Sequence, residues 1–265
     1  MYSSFQIAKK YFKYYINAQN GKGHGVHSPF VFDFIIHVLK DTKEYECYKQ
    51  IESLRKKLLE NGSTIEVEDF GAGSAVIPFK TRKVSAIAKS SLKNKKFASF
   101  LYRMVKYYQP KSIIELGTSF GITTCYIASG NKNADIITFE GSKEIARIAR
   151  HNFAEANMQN INLIEGNFNE TFFEALQKME KVDLAFIDGN HKRDATLDYF
   201  FSLLNKSSNA SIFIFDDIHW SSEMEEAWKQ IQEHDAVTLT IDLFFIGLVF
   251  FNTDFKAKQH FTIRF

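Results

Sequence analysis

Cysteine is scarce, and no long apolar run is present. Cys47 and Cys125 are the only two cysteines in 265 residues, and neither belongs to a C-x-x-C pair or lies near a pair of histidines. This argues against a disulfide framework and a structural zinc site, so a reducing cytoplasm is the simplest expected location. The most apolar run, residues 243–251, is about half of the roughly 20 residues that span a membrane, and it predicts a buried strand. The first residues contain no apolar segment typical of a secretory signal.

The overall charge is also small. The chain has a net charge of +2, with 45% hydrophobic and 24% charged residues, as is ordinary for a globular protein. This small net charge does not indicate an acidic partner, and no nucleic acid is expected. The length allows one large domain, or one domain with an extension.

Acidic residues are absent from the first part of the chain, up to Asp33. Apolar residues recur there at helical spacing beside lysines, which predicts a basic amphipathic helix. Such a helix could contact a membrane surface. The favoured interpretation is that its aromatic face packs on the rest of the protein or on a second subunit, which leaves a homodimer open. The apolar residues are Phe5, Ala8, Phe12, Tyr15 and Ile16, and the lysines are Lys9, Lys10, Lys13 and Lys22.

Proline occurs only three times, always before residue 111. Ser28 and Pro29 are a typical helix start, with Ser28 as N-cap. Further helical patterns cover residues 43–60 and 83–108, and the short strand pattern "STIEV" lies between them. We therefore predict a mostly helical extension or lid over residues 1–95 and a second domain over residues 96–265.

From Lys111 onward, short apolar runs alternate with amphipathic stretches. This alternation indicates a mostly parallel sheet covered on both faces. The last two runs leave no room for a helix between them and predict an antiparallel hairpin. The predicted fold is thus α/β, a Rossmann-like doubly wound sheet of seven strands with one antiparallel strand. The runs are "SIIEL", "DIITFE", "INLIEG", "VDLAFID", "SIFIFDD", "VTLTIDL" and "IGLVFFN", and the helices are expected near 121–129, 142–157, 169–179, 192–205 and 221–233.

Two glycine pairs compete as the cofactor loop, "EDFGAGS" at residues 68–74 and "IIELGTSFG" at residues 113–121. In an open parallel sheet the nucleotide usually lies at the first turn from strand to helix. Only the second pair follows a buried strand and opens a helix, whereas Pro78 would interrupt a helix that started after the first. "EDFGAGS" is expected to form a structural turn, with a contribution of Asp69 or Ser74 to the acceptor pocket as the alternative.

An acidic residue supports this choice. The next strand pattern ends in Glu140, 19 residues after Gly121, where a carboxylate can accept hydrogen bonds from both hydroxyls of a ribose. The glycine spacing is G-x-x-x-G, without the G-x-G-x-x-G of dinucleotide enzymes.

At this point the chain resembles the class I S-adenosylmethionine-dependent methyltransferases. "ELGTSFGITT" is similar to the loop of the catechol-type and caffeoyl-CoA-type O-methyltransferases, and the similarity continues through "VDLAFIDGNH" and "FIFDDIHW". The resemblance implies S-adenosylmethionine as cofactor, with a ribose contact from Glu140, adenine contacts from Asn167 and Phe168, and Asp188 also close to the cofactor. It places Glu115, Gly117, Thr118, Ser119 and Gly121 around the methionine end.

Three carboxylates are expected at the ends of the next two strands, namely Asp188, Asp216 and Asp217. Converging acids repel one another unless a cation or proton intervenes, and Mg²⁺ or a similar divalent cation suits oxygen ligands. The resembling catechol-type enzymes hold a metal here with Asp, Asp and Asn. The second Asp of "DD" is instead similar to the sugar and macrolide O-methyltransferases, and the acceptor stays open.

The resemblance implies a base three residues after Asp188, where the catechol-type enzymes have a lysine. His191 stands there, and an imidazole is suited to proton transfer near neutral pH; Lys192 is the reserve candidate. The expected function is methyl transfer to a hydroxyl of a small molecule. The alternatives are an N-methyltransferase acting on an amine or nucleic acid, although no "DPPY" or "NPPY" motif is present, and a cofactor-binding protein without catalysis.

Overall fold

The computed structural model describes residues 1–23, 26–68 and 80–265. Most of "EDFGAGS", including Asp69 and Ser74, lies outside these residues, so the two interpretations of that stretch stay predictions.

The first helix, α1 (Ser4–Asn17), begins with a capping box. The Ser3 hydroxyl accepts a hydrogen bond from the Gln6 amide, and the Gln6 side chain accepts one from the Ser3 amide. These bonds satisfy two of the amides that a helix start leaves unpaired. Helix α2 (Pro29–Phe34) has Ser28 as N-cap, as predicted, and continues as a π-helical segment, Ile35–Leu39.

Helix α3 (Glu46–Glu60) is followed by an antiparallel pair of strands, β1 (Thr64–Val67) and β2 (Lys80–Lys83). The helix predicted over 83–108 is in fact two helices, α4 (Val84–Ser91) and α5 (Lys95–Tyr108). The prediction was wrong here because the Asn94 side chain accepts a hydrogen bond from the Phe97 amide and starts a new helix.

After α5, strands and helices alternate as the sequence predicted. The strands are β3 (Ser112–Leu116), β4 (Asp135–Glu140), β5 (Ile161–Glu165), β6 (Leu184–Ile187), β7 (Ile212–Asp216), β8 (Leu239–Asp242), β9 (Ile246–Phe250) and β10 (Gln259–Thr262). The helices are α6 (Ile122–Gly130), α7 (Lys143–Glu155), α8 (Phe168–Lys178), α9 (Arg193–Leu204) and α10 (Ser222–Glu233).

The main sheet has the strand order β10-β8-β9-β7-β6-β3-β4-β5. β9 runs antiparallel to both β7 and β8, which confirms the predicted hairpin, and the pairs β3–β4, β4–β5 and β6–β7 are parallel. β10 is an eighth strand that the sequence analysis did not include; it pairs parallel with β8. The α/β Rossmann-like fold is therefore confirmed.

The chain divides into two compact units. Unit 1 contains residues 1–41 together with residues 179–265, and unit 2 contains residues 42–178. In unit 1, the buried side chains of β7 and β9 form much of the core, whereas in unit 2 the core lies among α3 to α7. The predicted domain boundary at residues 95 and 96 stays a prediction.

Within the described ranges, no helix is long and apolar enough to cross a membrane. The apolar run at residues 243–251 contains the buried strand β9, as predicted.

Candidate active site

The loop after β3 turns sharply into α6, and glycine occupies two of its positions with a positive φ. Gly117 has a φ of 102° and Gly121 a φ of 76°, a region that side chains with a Cβ rarely adopt. The amides of Gly117 and Thr118 both donate to the Phe139 carbonyl, at 3.2 and 3.0 Å, and so tie the loop to the end of β4. Ser119, at a φ of 49°, completes the turn.

Gly121 is required for a second reason. A Cβ built on this residue would lie 2.3 Å from Cε1 of Phe153, a side chain of α7. The structure shows that the close neighbour is an aromatic ring of the protein itself.

Glu115 is completely buried just before this loop. One of its carboxylate oxygens, Oε2, accepts hydrogen bonds from the Thr124 hydroxyl at 2.5 Å and the Thr138 hydroxyl at 2.7 Å. Its other oxygen, Oε1, has no hydrogen-bond partner among the described residues. Burial raises the pKa of Glu115 to about 7, although the two hydroxyls work against that rise.

Glu140, at the end of β4, is fixed to the same loop. Its Oε2 accepts a hydrogen bond from the Ser119 amide at 2.8 Å, and its Oε1 accepts one from the Ser142 amide at 3.0 Å. Burial raises the pKa of Glu140 to about 7, while these backbone amides oppose the rise. Because a carboxylate oxygen can accept more than one bond, Glu140 can still receive ligand hydroxyls.

Asn167 and Phe168 follow β5, whose end lies beside the end of β4. Glu140 and Glu165 are register partners, and the Gly166 amide donates to the Glu140 carbonyl at 3.0 Å. The Asn167 carbonyl accepts hydrogen bonds from the first turn of α8, and the Phe168 ring lies edge-on to Phe139. The fold therefore gathers the predicted cofactor residues of unit 2 at one edge of β3, β4 and β5.

Unit 1 contains a separate cluster of charged side chains, which we call the acidic cluster: Asp188, His191 and Asp216. Asp188 follows β6, and Asp216 ends β7, whose register pairs Ile187 with Phe215. Ligand-type atoms of the three side chains lie within 4.8 Å of one another, and His191 Nε2 is 3.6 Å from Asp188 Oδ1. Asp216 is buried, whereas Asp188 and His191 are partly exposed.

Among the described residues, Asp217 is not a member of this cluster of possible metal ligands. Asp217 has a φ of 54°, and its amide donates to the Phe245 carbonyl at 2.6 Å. Lys192 is exposed at the N-cap of α9, where its carbonyl accepts from the Thr196 amide. The predicted roles of both residues stay predictions.

His219 takes part in a network that the sequence did not reveal. Its Nδ1 lies 3.0 Å from Glu225 Oε1, and its Nε2 lies 2.8 Å from Asp242 Oδ2. Glu225 also binds the Lys10 ammonium and the Tyr2 hydroxyl of the N-terminal segment. No sequence signal joins residues so far apart.

Residues 114–218 match the family model of a methyltransferase domain. These residues contain the glycine loop, Glu140 and the acidic cluster. Residues 114–218 are a class I S-adenosylmethionine-dependent methyltransferase domain.

Solved structures share the fold of this chain. The methyltransferase is similar to an O-methyltransferase from Bacillus cereus in complex with S-adenosylhomocysteine, with 18% identity over 81% of this chain and 95% of that one, and a TM-score of 0.56. An S-adenosylhomocysteine-bound methyltransferase from Podospora anserina is 13% identical over 95% and 97%, with a TM-score of 0.58. The O-methyltransferase TomG from Streptomyces achromogenes is 14% identical over 82% and 94%, with a TM-score of 0.56. The search of curated proteins gives no significant match.

The residues of unit 2 fit the cofactor that the fold implies. The unpaired Oε1 of Glu115 provides a buried acceptor next to the glycine loop, as a ligand ammonium would require. Glu140 is held by two backbone amides and keeps acceptor capacity for hydroxyl groups.

Proposed function

We propose that this methyltransferase transfers a methyl group to a hydroxyl of a small molecule with the help of a divalent cation. The observation that carries this proposal is the acidic cluster, in which Asp188, Asp216 and His191 approach within 4.8 Å. The O-methyltransferases among the similar structures support the same kind of acceptor.

The cofactor is assigned to the residues of unit 2. S-adenosylmethionine supplies an electrophilic methyl group on a sulfonium sulfur when bound. Glu140 would accept hydrogen bonds from the ribose hydroxyls, and Asn167 and Phe168 would contact the adenine. Glu115, Gly117, Thr118, Ser119 and Gly121 would hold the methionine end.

Asp188 and Asp216 are assigned as cation ligands. Carboxylate oxygens are the ligands that Mg²⁺ prefers. A bound cation would lower the pKa of a coordinated hydroxyl and fix its position. Asp217 is retained as the proposed third ligand, although it lies outside the acidic cluster.

His191 is assigned as the base. The imidazole of His191 would take the hydroxyl proton of the acceptor as its oxygen receives the methyl group that S-adenosylmethionine would supply, with S-adenosylhomocysteine as the other product. A neutral imidazole can accept a proton near pH 7. The Nε2 of His191 cannot ligate a cation and accept this proton in the same step. If His191 is a ligand, Lys192 becomes the base.

Chelation tests the cation. We expect exhaustive treatment with a chelator to abolish methyl transfer to hydroxylated acceptors and added Mg²⁺ to restore it. Asp188→Asn and Asp216→Asn should each lower kcat by about 10²-fold or more, as expected when a cation that stabilises developing charge is lost. Asp198→Asn, an exposed carboxylate of α9, is the matched control and should retain activity. Full activity after chelation would remove the cation from the mechanism.

The role of His191 is tested by comparing activity with metal affinity. If it is the base, His191→Ala lowers kcat by about 10²- to 10⁴-fold and leaves Mn²⁺ affinity unchanged. If Mn²⁺ affinity collapses as well, His191 is a ligand, and Lys192→Met should then abolish the rise of kcat with increasing pH. Unchanged kcat across pH 6 to 9 in His191→Ala would place the base elsewhere.

Binding of S-adenosylhomocysteine tests the cofactor residues independently of the acceptor. Glu140→Gln should weaken this binding about tenfold or more in calorimetry, because a carboxylate is a stronger acceptor than an amide. Glu144→Gln, which changes a carboxylate of the first turn of α7, is the matched control. A panel of catechols, sugars, lipids and amines with labelled cofactor would identify the acceptor class. Methylation confined to amines or nucleic acid would replace the hydroxyl proposal.

A further inference from the structure

Helix α1 has two apolar faces. One face, formed by Ile7, Tyr11 and Tyr14, packs on Phe244 and Phe245 within unit 1. The Tyr11 ring is edge-on to Phe244 and stacked on Phe245, with ring centroids 5.1 and 5.9 Å apart. This packing buries one face of α1 in unit 1. It does not involve the apolar residues on which the helix was predicted, which are Phe5, Ala8, Phe12, Tyr15 and Ile16.

The other face is left in solvent. Phe5 is 80% exposed, Phe12 65% and Ile16 56%, and their spacing places them on one side of the helix. Tyr15 is also exposed on this side, and Met1 precedes it. The expectation that this face packs on the rest of the same chain was therefore wrong. We call these exposed side chains the aromatic face of α1.

Two lysines border the aromatic face. Lys9 lies four residues after Phe5 and three before Phe12, and Lys13 lies three residues before Ile16, so both follow one edge of the face. Both are exposed, and no acidic residue occurs before Asp33. An apolar stripe with cations along one edge and no anions nearby in the helix is complementary to a negatively charged, partly apolar surface.

The helix is held in a fixed orientation by contacts on its opposite side. The Lys10 ammonium lies 2.9 Å from Glu225 Oε1, and the Tyr2 amide donates to the Trp220 carbonyl at 3.1 Å. The buried Tyr14 hydroxyl donates to the Ile263 carbonyl. These contacts keep the aromatic face turned outward, so no rearrangement of α1 is needed to present it.

We propose that the aromatic face of α1 docks this protein on the surface of an anionic lipid bilayer. Aromatic and aliphatic side chains enter the headgroup region, while the flanking lysines interact with the lipid phosphates and carboxylates. A second copy of this chain is a poorer occupant. A facing α1 helix of a second copy would add further lysines to the interface, and α1 has no carboxylate to pair with them.

Vesicle sedimentation of the full chain tests the proposal. We expect binding to phosphatidylcholine vesicles that contain phosphatidylserine, weak binding to phosphatidylcholine alone, and loss of binding as salt rises. Phe5→Ser/Phe12→Ser should lower the partition coefficient about tenfold or more, because two buried apolar side chains are lost. Phe201→Ser, which changes an aromatic residue that is 45% exposed on α9, is the control.

A second pair of variants isolates the charge. Lys9→Gln/Lys13→Gln should reduce binding to the anionic vesicles about tenfold or more, at roughly 1 kcal/mol per lysine near such a surface. Lys56→Gln/Lys229→Gln, with side chains that are 75% and 74% exposed, should not. Circular dichroism and thermal unfolding confirm that each variant is folded.

Two results would overturn the proposal. One is absence of vesicle binding even at low salt. The other is a dimer of the wild-type chain in sedimentation velocity that Phe5→Ser/Phe12→Ser converts to a monomer, which would assign the aromatic face to a second copy instead.

Discussion

His219 Nε2 lies 2.8 Å from Asp242 Oδ2, so the loop after β7 is joined to the end of β8. Burial disfavours a charged imidazole, but the hydrogen bonds and charges of Asp242 and Glu225 outweigh it, and the pKa of His219 is raised above 6.5. The same Glu225 binds Lys10 and Tyr2, which links this histidine to α1.

Replacement of His219 should therefore change how stability depends on pH. A raised pKa means that the charged histidine stabilises the folded state fully below its unfolded pKa of about 6.5, and that this stabilisation is lost as pH rises through the higher folded pKa. We expect His219→Gln to be most destabilising at pH 5 to 6 and less so at pH 9. Urea unfolding at several pH values measures the difference. A constant difference would show that folding does not change the pKa of His219.

We expect the buried carboxylate of Glu115 to lower the stability of the fold at high pH and to strengthen cofactor binding. Its raised pKa, about 7, stabilises the fold below pH 4.5, and this contribution is lost as pH rises through 7. Because Gln does not ionise, Glu115→Gln should be more stable than the wild type at pH 8 by about 1–3 kcal/mol, estimated from 1.36 kcal/mol per pKa unit.

The same Glu115→Gln protein should bind S-adenosylhomocysteine more weakly at pH 8, because the buried carboxylate next to the glycine loop is gone. Glu144→Gln, on the surface of α7, should change neither property. Equal stability of wild type and Glu115→Gln at pH 8 would mean that Glu115 is not strained by burial.

Gly121 should tolerate no side chain. Its φ of 76° and the 2.3 Å approach of a Cβ to Phe153 both penalise Gly121→Ala, and we expect a loss of about 1–3 kcal/mol. Gly62→Ala is the control, since a Cβ there would meet nothing within 4 Å. Gly121→Ala/Phe153→Leu should recover the steric part only. Chemical unfolding measures all three, and a neutral Gly121→Ala would contradict the turn geometry.

The Tyr14 hydroxyl should contribute to the attachment of α1. It donates to the Ile263 carbonyl and accepts a hydrogen bond from the Phe265 amide, so Tyr14→Phe should cost about 1–2 kcal/mol of unfolding free energy. Tyr15→Phe, at the exposed neighbouring position, should be close to neutral. If both substitutions have the same effect in thermal unfolding, the buried bonds of Tyr14 contribute nothing.

Much of the fold could be predicted from local pattern. The run "DIITFE" coincides with β4, and the hairpin of β8 and β9 follows from two apolar runs with no helix between them. The eighth strand, β10, was not predicted, because it is only partly buried and its sequence, "QHFT", has no apolar run. The break between α4 and α5 was not predicted, because the helical pattern runs through residues 83–108 and only the Asn94 cap starts a new helix.

The part of the candidate site that lies at the ends of strands could be predicted from the sequence. Asp188 follows β6 and Asp216 ends the adjacent parallel strand β7, and their proximity follows from that topology. The participation of His191 in the same cluster, and the position of Asp217 outside it, depend on the actual course of the loops after these strands.

The sequence by itself determined the order of strands and helices, the glycine loop that opens α6 and the acids that follow the strands, because these depend on neighbours along the chain. Only the tertiary structure decided which face of α1 is buried, what lies against Gly121 and which groups surround His219. Those outcomes depend on contacts between residues more than 200 positions apart, as for Lys10 and Glu225, or between separate helices. Periodicity shows that an apolar face exists, whereas packing decides whether that face is covered.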